Sequence, residues 1–219
     1  MIHCLQTGLL GVNTYFVPTH PDSADVFIVD PGGEPDKIAQ FLSDHQLSPH
    51  AIVLTHGHFD HLGAVPFLFQ NYPSLEICIN PHDSMYLGAC GWALHEQDFA
   101  AINLAYLVME VRSQGLVLPT VTNELHHNQS LSFASDWRVF HTPGHSPGSI
   151  CLYNKSESVL FSGDTLFAGS YGRTDLRGGS FPKIQESLFF LLGLPPETTV
   201  YPGHGGKTTI GFERELLRY

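Results

Sequence analysis

The chain has 219 residues, 42% of them hydrophobic and 14% charged, which is enough apolar material for a substantial core. No apolar run reaches the roughly 20 residues of a membrane span, and the opening MIHCLQTGLLGVNTYFV lacks a basic segment ahead of a clean apolar stretch, so neither a membrane nor an export signal is expected. A formal net charge of −11 argues against a broad phosphate-binding surface, and therefore against nucleic acid as a partner.

In chain order, Val12–Val17 and Val26–Asp30 read as short strands, and Pro31-Gly32-Gly33 stops the second. Glu34–His45 carries Ile38, Phe41 and Leu42 at helical spacing. Ala51–Leu54 is an apolar strand, Leu62–Asn71 a helix and Leu75–Ile79 a strand. Glu96–Gln114 is the longest helical candidate, closed by Gly115; its apolar stripe is wide enough to be buried on more than one side. Arg138–His141, Ile150–Tyr153 and Val159–Phe161 read as strands, Pro182–Leu192 as a helix, Thr199–Tyr201 as a strand and Ile210–Leu217 as a closing helix. Alternating strands and helices predict sheets covered by helices, without a regular βαβ series. The four cysteines, Cys4, Cys78, Cys90 and Cys151, are scattered and form no CxxC pair, which predicts reduced, mostly buried thiols in a cytoplasmic protein.

Fourteen histidines is well above ordinary usage and directs attention to metal chemistry. His56, His58, Asp60 and His61 form HxHxDH directly after a predicted strand. Residues two apart on extended chain point the same way, so His56 and His58 can offer imidazoles to one ion. If the chain then turns into a helix, Asp60 and His61 face a second point nearby. Imidazole and carboxylate together suit zinc, and also iron or manganese. Three further blocks repeat the logic of strand, turn and ligand: TPGHSPGS with His145, FSGDT with Asp164, and YPGHGG with His204. Asp30, in VDPGG, either orients a ligand histidine or caps a turn. Ligands running from His56 to His204 must converge, which predicts a single domain over residues 1–219.

HxHxDH, then Gly-His, Gly-Asp and Pro-Gly-His, in this order from about Asn13 to His204, resembles the metallo-β-lactamase superfamily. The resemblance implies an α/β fold, a four-layer αββα sandwich of two mixed sheets with the site at a sheet edge. It also implies ligand roles: His56, His58 and His145 for one metal, Asp60, His61 and His204 for a second, and Asp164 bridging both. Asp60 would double as a candidate proton acceptor. β-Lactamases with cysteine or serine at the bridging position do not match Asp164, and flavo-diiron proteins have glutamate where this chain has His58.

GDTLF after the bridging position and Gly172-Arg173-Thr174-Asp175-Leu176 are similar to the type II glyoxalase-like branch, hydrolases of glutathione thioesters. That branch implies two divalent ions, zinc first, and a hydroxide held between them that attacks a small-molecule thioester. Arg173 is either a loop residue paired with Asp175 or an anchor for a substrate carboxylate. The chain ends soon after His204, and Gly205-Gly206-Lys207 replaces the Glu-Tyr that follows the last histidine in those enzymes, so most glutathione contacts are missing. The alternatives are a persulfide dioxygenase with one iron on His56, His145 and Asp164, and a hydrolase of another ester or lactone. Oligomeric state is not legible.

Overall fold

The apolar runs of the N-terminal half build a six-stranded mixed sheet in a computed structural model, which describes residues 1–217; the last two residues of the predicted 1–219 domain lie outside the described residues. The chain divides into two units: Met1–Ile79 with Ser84–Glu124, and Asn80–Asp83 with the chain from Leu125 onward. In the first unit the strands are β1 (His3–Thr7), β2 (Val12–Pro18), β3 (Asp25–Val29), β4 (Ser48–Val53), β5 (Glu76–Ile79) and β6 (Asn123–Glu124). They lie side by side in sequence order. β1 to β3 are antiparallel and β3 to β6 parallel, the parallel pairs being joined by helical crossovers.

Those crossovers follow from the sequence. α1 (Pro35–Asp44) has Pro35 in its first turn, where the missing N–H costs nothing, and buries Ile38 and Leu42 one turn apart. α2 (Phe59–Leu62) and α3 (Val65–Asn71) lead from β4 to β5. Ile28, Ile52, Leu54 and Ile77 from the strands meet Ile38, Leu62, Val65 and Leu68 from the helices in one core. α4 (Gly91–Ala100) and α5 (Ala105–Ser113) add Trp92, Phe99 and Val108 to it.

The second unit has its own six-stranded mixed sheet. β7 (Ser130–Leu131), β8 (Ala134–His141), β9 (Ile150–Asn154) and β10 (Val159–Gly163) form an antiparallel meander. The short hairpin β11 (Leu166–Phe167) and β12 (Ser170–Tyr171) follows, then α6 (Phe181–Leu192). β13 (Thr199–Pro202) lies parallel to β10, β14 (Thr208–Thr209) closes the sheet edge, and α7 (Ile210–Leu217) ends the described chain. Ile184, Leu188 and Leu191 of α6 pack on Cys151, Leu160 and Val200. Among the described residues no helix is long and apolar enough to cross a membrane.

Three expectations need correction. The helix predicted over Glu96–Gln114 is two helices, because Asn103 sits in the left-handed region at φ 62° and the Leu104 N–H reaches back to the Phe99 carbonyl at 2.7 Å. Asn tolerates that conformation better than most residues, so it ends α4 without a glycine or proline. The helix predicted over Leu62–Asn71 is interrupted at Gly63-Ala64, and Pro66 opens α3. Cys78 and Cys151 are buried, whereas Cys4 and Cys90 are exposed; none of the four is in a disulfide.

His95 on α4 is 1% exposed. Its Nε2–H donates to the Tyr86 carbonyl at 2.8 Å, and its Nδ1 has no hydrogen-bond partner among the described residues. Burial lowers its pKa to about 4. The unfolded chain therefore takes up this proton first. The neutral ring's contribution is intact above the ordinary histidine pKa and is lost as pH falls towards 4, by about 3 kcal/mol in all. Chemical denaturation between pH 7 and 4.5 should show this loss in the wild type and not in His95→Leu; equal pH slopes would assign the acid sensitivity elsewhere.

Gly32 makes a second prediction. A Cβ there would lie 2.0 Å from the Asp60 carbonyl oxygen and 2.0 Å from Val12 Cγ1. The first obstacle is backbone and cannot rotate away, so Gly32→Ala should destabilise the fold by about 2–3 kcal/mol in urea denaturation. A stability within experimental error of wild type would mean the turn relaxes freely.

Candidate metal centre

In the first unit the HxHxDH segment leaves β4 through Thr55, and its geometry is set by a buried carboxylate. Asp30, 1% exposed, follows β3 in the left-handed region at φ 52°. That conformation aims its side chain at the neighbouring strand end. Its Oδ1 accepts from the Thr55 backbone N–H at 2.8 Å and its Oδ2 from the Thr55 hydroxyl at 2.7 Å. The same Oδ2 lies 2.9 Å from His61 Nδ1, so the His61 Nδ1–H donates to it and Nε2 is left with its lone pair. Of the two readings of Asp30, the structure gives the orienting one.

His56 is arranged the same way. Its Nδ1 lies 3.1 Å from the Thr55 hydroxyl, again turning Nε2 outward. Donor atoms of His56 and His58, of His56 and His61, and of Asp60 and His61 lie within 4.8 Å of one another, so these residues could hold a metal ion. His58 precedes α2 with extended backbone, and Asp60 and His61 lie within the helix. Asp60 Oδ2 is 3.8 Å from His61 Nε2, too long for a hydrogen bond. Two donors each about 2.1 Å from a tetrahedral zinc would lie about 3.4 Å apart, so the spacing fits two atoms converging on one ion.

Gly57, between the first two histidines, is required by packing. A Cβ there would sit 2.1 Å from Cδ2 of the Tyr86 ring. Tyr86 is fixed in turn: its hydroxyl donates to Asp98 Oδ2 at 2.7 Å and its ring stacks on His95, centroids 5.2 Å apart.

In the second unit His145 sits in a turn held by Asp83, which is fully buried. Asp83 Oδ2 accepts from the Ser146 hydroxyl at 2.6 Å and Oδ1 from the Gly148 N–H at 2.7 Å. On its other side the turn meets α6, where the Ser180 N–H donates to the Gly144 carbonyl at 2.8 Å. The His145 Nδ1–H donates to the backbone carbonyl of Arg173 at 2.8 Å, leaving Nε2 3.6 Å from Asp164 Oδ2. His204 Nε2 is 3.8 Å from the same oxygen. Asp164 and His204 follow the parallel strands β10 and β13, and the Gly203 N–H donates to the Gly163 carbonyl at 2.8 Å to join the two turns. One carboxylate oxygen flanked at these distances by two imidazole nitrogens is again the spacing of converging ligands.

The Gly172–Leu176 segment acts here through its backbone. A Cβ on Gly172 would stand 1.9 Å from the Asp164 carbonyl oxygen and 3.0 Å from His145 Nδ1, so only glycine lets the loop deliver the Arg173 carbonyl. The Arg173 guanidinium makes two hydrogen bonds to Asp175, at 2.7 and 2.8 Å. That contact raises the arginine pKa and holds the Asp175 carboxyl down at about 2. Burial pushes the Cys78 and Cys151 thiols up to about 12, so neither is a thiolate nucleophile near neutral pH.

Sequence reasoning missed Asp83, Tyr86 and Thr55. Asp83 lies 63 residues before Ser146, and no local pattern connects them. Thr55 had a signal, since a hydroxyl residue directly before the first ligand histidine is placed to bond the ring.

In Asp30→Asn the amide NH2 would face either the Thr55 backbone N–H or both the Thr55 hydroxyl and His61 Nδ1, and the second arrangement breaks the His61 bond. The His61 tautomer would then tend to put its proton on Nε2, the atom needed for a metal. Affinity for zinc in competition with a chromophoric chelator should fall about 10- to 100-fold. Unchanged affinity would show that the Asp30–His61 bond does not tune the site.

The model of the metallo-beta-lactamase superfamily matches residues 7–204. The hydroxyacylglutathione hydrolase GloC of Haemophilus influenzae is 31% identical over 201 residues, covering 88% of this chain and 86% of its own. Among solved structures, a di-iron-bound form of TTHA1623 is 37% identical with a TM-score of 0.77 and covers 98% of both chains. BLEG-1, described as a B3 metallo-beta-lactamase, is 35% identical with a TM-score of 0.82, covering 98% of this chain and 97% of its own. Two mixed sheets with flanking helices are the expected fold, and with matches of this extent the chain belongs to the metallo-β-lactamase superfamily and has the framework of a metallo-hydrolase.

Proposed function

We propose that this protein is a metal-dependent hydrolase of small thioesters, a single domain over residues 1–219. His56, His58 and His145 serve one divalent ion, Asp60, His61 and His204 a second, and Asp164 both. The observation that carries the reading is the state of the imidazoles. Three of them, His56, His61 and His145, already have Nδ1 engaged by a hydroxyl, a carboxylate and a carbonyl, so each presents Nε2. A protein gains nothing by fixing three tautomers unless the opposite nitrogen has a use.

When bound, two divalent ions would supply Lewis acidity and bring the pKa of a coordinated water down towards about 7. The chain's own groups do the rest. His61, His145 and His204 stand beside the two carboxylates at 3.6–3.8 Å as converging ligands, and Asp60, with 17% of its side chain exposed, would be the proton acceptor. Neither buried thiol competes as a nucleophile, and a thiolate leaving group needs little proton assistance. The likeness to GloC supports a thioester. The likeness to BLEG-1 makes a β-lactam the discriminating control. Zinc leads as the metal, and the di-iron form of TTHA1623 keeps iron in view. Arg173 contributes in this reading through its carbonyl.

Metal analysis of protein purified without added metal should give about two ions per chain. His204→Ala should retain about one and lose thioester hydrolysis by about 100-fold or more, since the Lewis acidity of the second ion would be lost. Wild-type turnover together with an unchanged metal count in this variant would remove His204 from the site, and faster cleavage of a β-lactam than of any thioester would overturn the substrate class.

A further inference from the structure

A cavity of about 310 Å³ lies within the first unit, and Asp60 is among its lining residues. Its walls are Leu9, Leu10, Phe67, Phe99, Leu107 and Val111. The β1–β2 turn supplies the two leucines, which line the cavity while Leu9 is 66% and Leu10 40% exposed. Glycines at 8 and 11, both with positive φ, shape the turn that places them there. α4 and α5 supply Phe99, Leu107 and Val111, so the break at Asn103 that splits the predicted long helix also folds its second half back to complete the wall.

The charged groups lining the cavity are Glu34, whose Oε2 also meets Lys37 Nζ at 3.4 Å, Asp60 and Glu110; among the described residues no lysine or arginine lines it. Glu34 Oε2 accepts from the Gly8 N–H at 3.0 Å, which ties the turn down. Such a cavity disfavours anionic groups, including the carboxylates of a glutathione moiety, and favours uncharged apolar ones. Its size is at the small end for ligand sites and corresponds to about ten waters, room for an alkyl chain of roughly six to eight carbons.

We infer that this cavity receives the acyl chain of a neutral, linear thioester of medium length, with the carbonyl at the Asp60 end. The inference rests on the hydrolase reading above and names its substrate class. Longer acyl chains gain apolar burial until the cavity is full, so kcat/KM should rise by about threefold per methylene and then level off near eight carbons.

The test uses acetyl to decanoyl thioesters of N-acetylcysteamine on the metal-loaded protein. Beside it, calorimetry follows binding of the non-hydrolysable S-octyl-N-acetylcysteamine to loaded and metal-depleted protein. Octanoyl should be preferred over acetyl by about 100-fold or more in kcat/KM. Val111→Phe, which fills the cavity, should collapse that ratio and weaken S-octyl binding at least about tenfold. Leu9→Ser alters only an exposed turn and should reduce the same ratio, which keeps the test informative if Val111→Phe does not fold. A flat chain-length profile with measurable acetyl turnover would overturn the acyl assignment while leaving the hydrolase reading intact. If no thioester is turned over, that reading falls and calorimetry decides the cavity alone: S-octyl binding weakened by the substitutions supports it, and absent or unaltered binding overturns it.

Discussion

A buried carboxyl group needs partners for its oxygens, and the first unit is organised around one that has them. Leaving such a group unpaired costs several kcal/mol, so Asp30 fixes whatever it bonds. It takes both Thr55 donors and His61 Nδ1. To do so the chain accepts a left-handed residue after β3, and the Pro31-Gly32-Gly33 turn then lies against α2. There the Ala64 N–H donates to the Pro31 carbonyl at 3.0 Å. The strand end, the ligand segment and the start of α2 are thus parts of one hydrogen-bonded arrangement.

The second unit uses the same device with different residues. Asp83 is also a buried carboxylate and also satisfied by a hydroxyl and a backbone N–H, and what it fixes is a turn carrying a histidine. In both units a polar group that the core must accommodate is placed where its demands position an imidazole. The apolar packing supplies stability. The two carboxylates convert it into geometry.

The longer strands after β1 and most helices were legible because their periodicities are strong: Ile38 and Leu42 in α1, or the unbroken apolar run of β3, admit few other readings. The histidine blocks were legible because each follows an apolar strand directly. The break at Asn103 was not, since asparagine inside an apolar helical stripe is an ordinary surface residue until a backbone carbonyl is seen bonding across it. Asp83 was hidden by distance along the chain. Arg173 shows a different limit. The motif drew attention to a guanidinium, which pairs with Asp175, and the structure adds a hydrogen bond from His145 to the Arg173 carbonyl, a main-chain role that no reading of side-chain types reveals. The two-residue strands β6, β7 and β14 carry too little pattern to be read at all.

The ring of Tyr86 over Gly57 has a consequence for how this sequence can drift. The second position of an HxH pair is usually treated as free. Here it is one half of a two-body constraint, since a Cβ at 57 and a ring at 86 compete for the same space. The two positions, 29 residues apart, should therefore covary among homologues that keep this packing: a side chain at the first should be accompanied by a small residue at the second. Drift at the second would in turn release Asp98 and His95 from their contacts with the ring, so one permitted change would open a cluster of four positions.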